Sequence, residues 1–176
     1  MRVLALGGIR SGKSAWAEAA ITDATGSADP VRYLATGAVS SDPDWSARVS
    51  AHRDRRPEGW ITVETRDVAA QLTSDPVTAT LVDDVGGWLV AAMDRTAAWT
   101  GGSVADDATA LVEAVGDFEG PLVLVSPEVG LSVVPATESG RLFADALGEV
   151  NQRLAAVCDR VALVVAGVPL MIKKTS

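Results

Sequence analysis

The chain has 176 residues, 48% of them hydrophobic, a formal net charge of −8 and a single cysteine, Cys158. That length buries a core without disulfide or metal staples, so one domain over residues 1–176 is expected, and one cysteine leaves no disulfide framework and no Cys/His metal cluster, which suits a reducing cytoplasm. The acidic balance disfavours general nucleic-acid binding, which draws on surplus Lys and Arg, and no apolar run approaches the roughly 20 residues that span a bilayer, so neither a membrane span nor export is expected.

The first element is a strand over 2–6, and it runs directly into Gly7-Gly8-Ile9-Arg10-Ser11-Gly12-Lys13-Ser14. This is the G-x-x-x-x-G-K-[ST] pattern, in which a glycine-rich turn curls backbone N–H groups around an anion and the following helix presents its positive dipole end. Lys13 is placed to reach the terminal phosphates and Ser14 to ligate Mg²⁺. A structural glycine turn is the alternative, but such a turn has no use for the lysine. A helix over 13–23, with Trp16, Ala17, Ala20 and Ile21 recurring, completes the strand, loop and helix setting.

Further Val- and Leu-rich runs at 31–35, 78–82, 121–126 and 160–166, with shorter additions at 61–64 and 170–173, alternate with helices expected at 44–54, 67–73, 86–95, 104–116 and 138–157. Continuous hydrophobicity in the strands, with helices between them, predicts a mainly parallel sheet covered by helices on both faces. In the last helix Leu142, Phe143, Ala146, Leu147, Val150 and Leu154 form one inward stripe. Glycine- and proline-marked loops separate the elements at 26–30, 100–103 and 130–137.

Acids follow the strand Thr78–Val82, and a carboxylate at that end of a parallel strand is where a phosphate-binding fold holds its metal shell. Asp83 is the candidate rather than Asp84; the competing reading is a pair of solvated acids capping the helix at Gly86. The only histidine, His52, lies in Arg48-Val49-Ser50-Ala51-His52-Arg53-Asp54-Arg55-Arg56-Pro57, four arginines in ten residues of an acidic chain. Positive neighbours disfavour imidazolium and keep the ring neutral and nucleophilic, while also attracting phosphate. Such a histidine can attack an α-phosphorus and carry a nucleotidyl group, although a single histidine is more often a packing or surface residue. Glu128, after the strand ending at Ser126, is expected to point into the same crevice as Asp83. Asn151, Gln152 and Arg153 read as a solvated helix face, Lys173-Lys174 as a solubilising tail, and Cys158 as packing on a helix.

Taken together the chain resembles the bifunctional adenosylcobinamide kinase and adenosylcobinamide-phosphate guanylyltransferase family of cobalamin biosynthesis. The likeness runs from the glycine loop through Tyr33-Leu34-Ala35-Thr36, Arg48-Val49, His52 with Arg56-Pro57, Trp60 and Glu64. It continues through Asp83, Glu128-Val129-Gly130, Val133-Val134-Pro135, Arg141-Leu142-Phe143, Asp145, Gly148, Asn151-Gln152 and Ala166-Gly167-Val168-Pro169-Leu170. It departs at Asp44-Trp45, at Ser132 and at Asp84-Val85-Gly86-Gly87. The resemblance implies a RecA-like P-loop fold and two activities: phosphorylation of adenosylcobinamide with ATP or GTP, then transfer of GMP from GTP to adenosylcobinamide phosphate through a guanylylated His52. It also implies nucleotide contacts at residues 7–14, at Ala35, Thr36 and Gly37, at Arg53, Asp54, Arg55 and Arg56, and at Glu64 and Asp83, with Mg²⁺ on Ser14 and Asp83, and a homo-oligomer, a trimer. A nucleotide switch and a plain small-molecule kinase are the rival readings, and neither needs His52.

Overall fold

The structure, a computed structural model, describes residues 1–26, 30–37 and 59–174. His52, Arg53, Asp54, Arg55, Arg56 and the helix expected over 44–54 lie outside the described residues. The strands are β1 (Arg2–Gly7), β2 (Arg32–Ala35), β3 (Ile61–Glu64), β4 (Thr80–Asp83), β5 (Leu122–Pro127), β6 (Arg160–Val165) and β7 (Val168–Lys174). The described α-helices are α1 (Lys13–Thr25), α2 (Val68–Ser74), α3 (Val85–Arg95), α4 (Ala105–Gly116) and α5 (Glu138–Val157).

All seven strands form one sheet in the order β3-β2-β4-β5-β1-β6-β7, parallel except for β7, which pairs antiparallel with β6. The central strands are buried on both faces, and side-chain alternation divides them between two cores. Leu4, Leu34, Val82, Leu122 and Leu124 pack under α2 to α5, while Val3, Ala5, Tyr33, Leu81, Val123 and Val125 meet Ala17 and Ile21 of α1. This double burial is what the continuous apolar runs require. The edge strands β3 and β7 are largely exposed, which is why their sequence signal is weaker, and Pro169 is tolerated in β7 because an edge strand leaves a donor position unpaired.

Three expectations about α5 and its surroundings are corrected. Leu147, Val150 and Leu154 are fully buried, but Leu142 is 36% exposed and leaves the inward stripe. Asn151 is half-buried rather than solvated: its Oδ1 accepts from Ser126 Oγ at 2.6 Å and its Nδ2 donates to the Pro127 carbonyl at 3.0 Å, tying α5 to the end of β5. Lys173 is no loose tail, since its ammonium donates to the Ala155 and Ala156 carbonyls at 2.7 and 3.0 Å, where a cation complements the helix C-terminus.

Cys158 follows α5 in extended backbone rather than standing on the helix, and is 1% exposed. Burial pushes its thiol from the ordinary 9.0 up to about 12. The folded state therefore keeps this contribution in full below the unfolded thiol's range and loses it as pH rises toward the folded value. At neutral pH an aromatic disulfide reagent is expected to leave native Cys158 untouched and to label it on unfolding in urea; prompt labelling of the native protein contradicts the packing role.

Candidate active site

The glycine loop joins β1 to α1 at the carboxyl edge of the sheet. Gly8, Ile9 and Arg10 form its exposed crest, with Ile9 93% exposed, while Gly7 is buried and Ser11, Gly12, Lys13 and Ser14 are half-buried. Helix α1 starts with no side-chain cap and no acidic residue in its first turn, so its first N–H donors remain available to an anion. Ser11 Oγ is buried with no partner among the described residues, and it lies 2.4 Å from where a Cβ on Gly7 would sit. A donor left open inside the curl fits a phosphate oxygen. Lys13 Nζ arches back over the loop to the Gly8 carbonyl at 3.3 Å.

The loop rests on the β6–β7 turn. Gly167 N donates to the Ser11 carbonyl at 2.7 Å, and a Cβ on Gly12, whose φ is +90°, would meet Gly167 Cα at 3.0 Å. Gly12→Ala thus combines a left-handed backbone, strained for any L side chain, with a close contact that requires the Gly167 backbone to give by a few tenths of an ångström. With a left-handed cost of about 1–2 kcal/mol, it is expected to weaken nucleotide affinity by about tenfold or more. Calorimetric titration with GTP measures this, and an unchanged affinity would remove the turn from the site.

Strand β4 is not adjacent to β1, because β5 lies between them. Helix α1 packs across β1, β5 and β4, and this crossing brings Ser14 to the end of β4, with Ser14 Oγ 3.5 Å from Asp83 Oδ1. The other carboxylate oxygen, Oδ2, accepts from the Tyr33 hydroxyl at 2.5 Å. Two oxygens bound at about 2.1 Å to one octahedral ion lie about 3 Å apart, so a hydroxyl and a carboxylate at this spacing suit Mg²⁺.

The paired acids point to different partners. Asp83 faces Ser14, whereas Asp84 caps α3, accepting from Gly87 N at 2.6 Å. Burial pushes the Asp84 carboxyl above its ordinary range, opposed by the Gly87 N–H and reinforced by the charge of Asp83. Within the stretch 84–87 that departs from the family pattern, Gly86 packs closely, since a Cβ there would meet Pro127 Cγ at 2.9 Å. Thr36 is buried, and its hydroxyl donates to the Asp84 carbonyl at 2.5 Å and accepts from Asp84 N at 3.0 Å, joining the end of β2 to the end of β4. Ala35 and Glu64 occupy paired positions at the ends of β2 and β3, Ala35 also pairing with Asp83, and Gly37 is exposed beyond them.

Glu128 stands at the same edge, but its carboxylate turns onto its own loop, accepting from Gly130 N at 2.8 Å and Leu131 N at 2.9 Å. It therefore shapes the loop rather than extending toward Asp83. Beside it a groove of about 390 Å³ opens between this loop, α5 and β7. Glu128, Asn151 and Lys173, which line it, are each committed to protein partners.

Over residues 3–172 the chain matches the family described as cobinamide kinase / cobinamide phosphate guanyltransferase. The chain belongs to this family. The bifunctional adenosylcobalamin biosynthesis protein CobU of Salmonella typhimurium (strain LT2) is 37% identical over 193 residues, covering 98% of this chain and 100% of the relative. The corresponding protein CobP of Pseudomonas aeruginosa (strain PAO1) is 39% identical over 178 residues, covering 98% of each. Among solved structures, an ATPase from the type III secretion system of pathogenic bacteria matches with a TM-score of 0.57 at 12% identity, covering 92% of this chain and 50% of that one. That likeness concerns the RecA-like P-loop fold alone, and the chain spans about half the length of that ATPase.

For this member of the cobinamide kinase / guanyltransferase family, nucleotide substrates follow from fold and family together. Among the described residues no helix is long and apolar enough to cross a membrane. Two contributors at the site stand outside the candidates read from the sequence, Tyr33 and Gly167. For Tyr33 the available signal is its position inside a strand facing the same way as Asp83. For Gly167 it is a glycine between two apolar runs, the mark of a hairpin turn.

Proposed function

We propose that the chain is a one-domain cytoplasmic enzyme that phosphorylates adenosylcobinamide and then converts adenosylcobinamide phosphate to adenosylcobinamide-GDP. The observation that carries this reading is the convergence of Lys13, Ser14 and Asp83 on an open helix start, in a chain that matches the family over nearly its whole length. Phosphoryl transfer is mostly positioning and charge neutralisation. The loop N–H groups and Lys13 hold the nucleotide phosphates, and the substrate hydroxyl attacks the γ-phosphorus, losing its proton as the nucleoside diphosphate leaves. Mg²⁺, held by Ser14 and Asp83, neutralises phosphate charge when bound.

In the second reaction the neutral imidazole of His52 attacks the α-phosphorus of GTP, forming a P–N bond as the bond to pyrophosphate breaks. A phosphate oxygen of adenosylcobinamide phosphate then attacks the same phosphorus and the P–N bond breaks, splitting one hard displacement into two. Arg53, Arg55 and Arg56 supply charge for the triphosphate, with Asp54, Glu64 and residues 35–37 as further guanine-nucleotide contacts. The exposed apolar side chains of Val168, Leu170 and Ile172 on the edge strand β7 support self-association into the trimer of this reading.

Incubation with adenosylcobinamide and ATP or GTP, followed by GTP, tests the proposal by chromatography of the corrinoid products. Successive appearance of the phosphate and the GDP adduct, with one pyrophosphate per adduct, is the expected result. Phosphorylation without the adduct would leave a plain kinase.

A further inference from the structure

We propose that Tyr33 is a positioning residue that fixes the Asp83 carboxylate, turning one of its oxygens toward Ser14 and the divalent cation of the nucleotide site. This rests on the reading of Ser14 and Asp83 as the metal's ligands. Tyr33 lies on β2, 3% exposed, on the sheet face that α1 covers. The parallel register pairs Tyr33 with Leu81 and Ala35 with Asp83, so the phenol rises from two residues below the acid on the neighbouring strand.

Its hydroxyl meets Asp83 Oδ2 at 2.5 Å, while Oδ1 faces Ser14 Oγ at 3.5 Å. An O–H donor on a carboxylate at that distance is a charge-assisted bond. The terminal torsion of an aspartate is broad, so a carboxylate with no such tether samples orientations in which neither oxygen faces Ser14. The phenol is itself held, with its ring against Trp60 at 6.2 Å between centroids and 37° between planes. The tyrosine thus acts through Asp83, as an outer partner acts on a metal ligand.

The test uses the full chain with Mn²⁺ as the probe and a non-hydrolysable GTP analogue, free Mn²⁺ being read by electron paramagnetic resonance. Tyr33→Phe is expected to weaken Mn²⁺ binding by about 10- to 100-fold, with analogue affinity in EDTA unchanged. Asp83→Asn serves as the comparison and is expected to lose Mn²⁺ at least as strongly. Tyr33 is the single tyrosine of the chain, so uniform 3-fluorotyrosine labelling reports on this phenol alone. Its fluorine resonance is expected to move when Mg²⁺ joins the nucleotide-bound protein and to stay in place in Asp83→Asn. Wild-type Mn²⁺ affinity in Tyr33→Phe together with loss in Asp83→Asn overturns the role of Tyr33 and leaves the metal reading standing. Wild-type affinity in both variants overturns the metal reading, and the proposal with it. Should Tyr33→Phe fail to fold, a fluorine resonance indifferent to Mg²⁺ in the unsubstituted chain overturns the proposal on its own.

Discussion

Replacement of His52 by alanine is expected to leave phosphorylation of adenosylcobinamide in place while guanylyl transfer falls by at least about 10³-fold, because no other group is assigned to attack the α-phosphorus. The expectation follows from the residues around the ring. In a chain of net charge −8, four arginines lie within ten residues of sequence around the only histidine, and positive neighbours of that kind are expected to favour a neutral imidazole and to attract a triphosphate. The readout is label from α-labelled GTP retained on the protein, labile in acid and stable in base as a P–N bond is. A nucleotide switch and a plain kinase both predict no such label in the unsubstituted chain, and label persisting in His52→Ala would assign the nucleophile elsewhere.

Lys13→Ala is expected to lower phosphorylation by about 10²–10³-fold, the scale seen when one group aimed at developing charge is removed. The lysine already arches over the loop, donating to the Gly8 carbonyl, which holds its charge above the curl that the proposed reading assigns to the phosphates. Lys13→Arg is not expected to restore the rate, since a planar fork replaces a compact ammonium in a tight curl. Because the proposed reading gives both reactions one triphosphate cradle, Lys13→Ala is expected to lower both and His52→Ala only the second. Steady-state rates of the two products in the two variants check this asymmetry. Thermal melting is expected to leave Lys13→Ala close to the parent, because the described bond of Lys13 is to an exposed loop carbonyl.

Much of the architecture is legible in the chain because the relevant physics is local. Strands buried on both faces read as continuous Val and Leu runs, and the glycine loop announces its own geometry through Gly12 and Lys13. Asp83 is found by a positional rule, the carboxyl end of a parallel strand. The strand order is not local information: nothing in residues 122–127 says that β5 enters between β1 and β4, and only the crossing of α1 restores the meeting of Ser14 with Asp83.

Side-chain partners across elements are lost in the same way. Asn151 reads as a solvated helical residue until the end of β5 is placed against it. Lys173 reads as a tail until α5 ends beside it. Glu128 reads as a crevice acid until its own loop offers it two N–H groups. The assignment of the acid pair illustrates both sides, since Asp84 does cap a helix, as the competing reading had it, while Asp83 turns to the loop.

The covalent step is the centre of the account, and mapping the adduct tests it most directly. The folded protein is incubated with GTP and Mg²⁺, digested under basic conditions and sequenced by mass spectrometry. The expected result is one guanosine monophosphoryl group on the imidazole of His52, released as the GDP adduct when adenosylcobinamide phosphate is added. A guanylylated residue other than His52, or an unmodified protein that still forms the product, would contradict it.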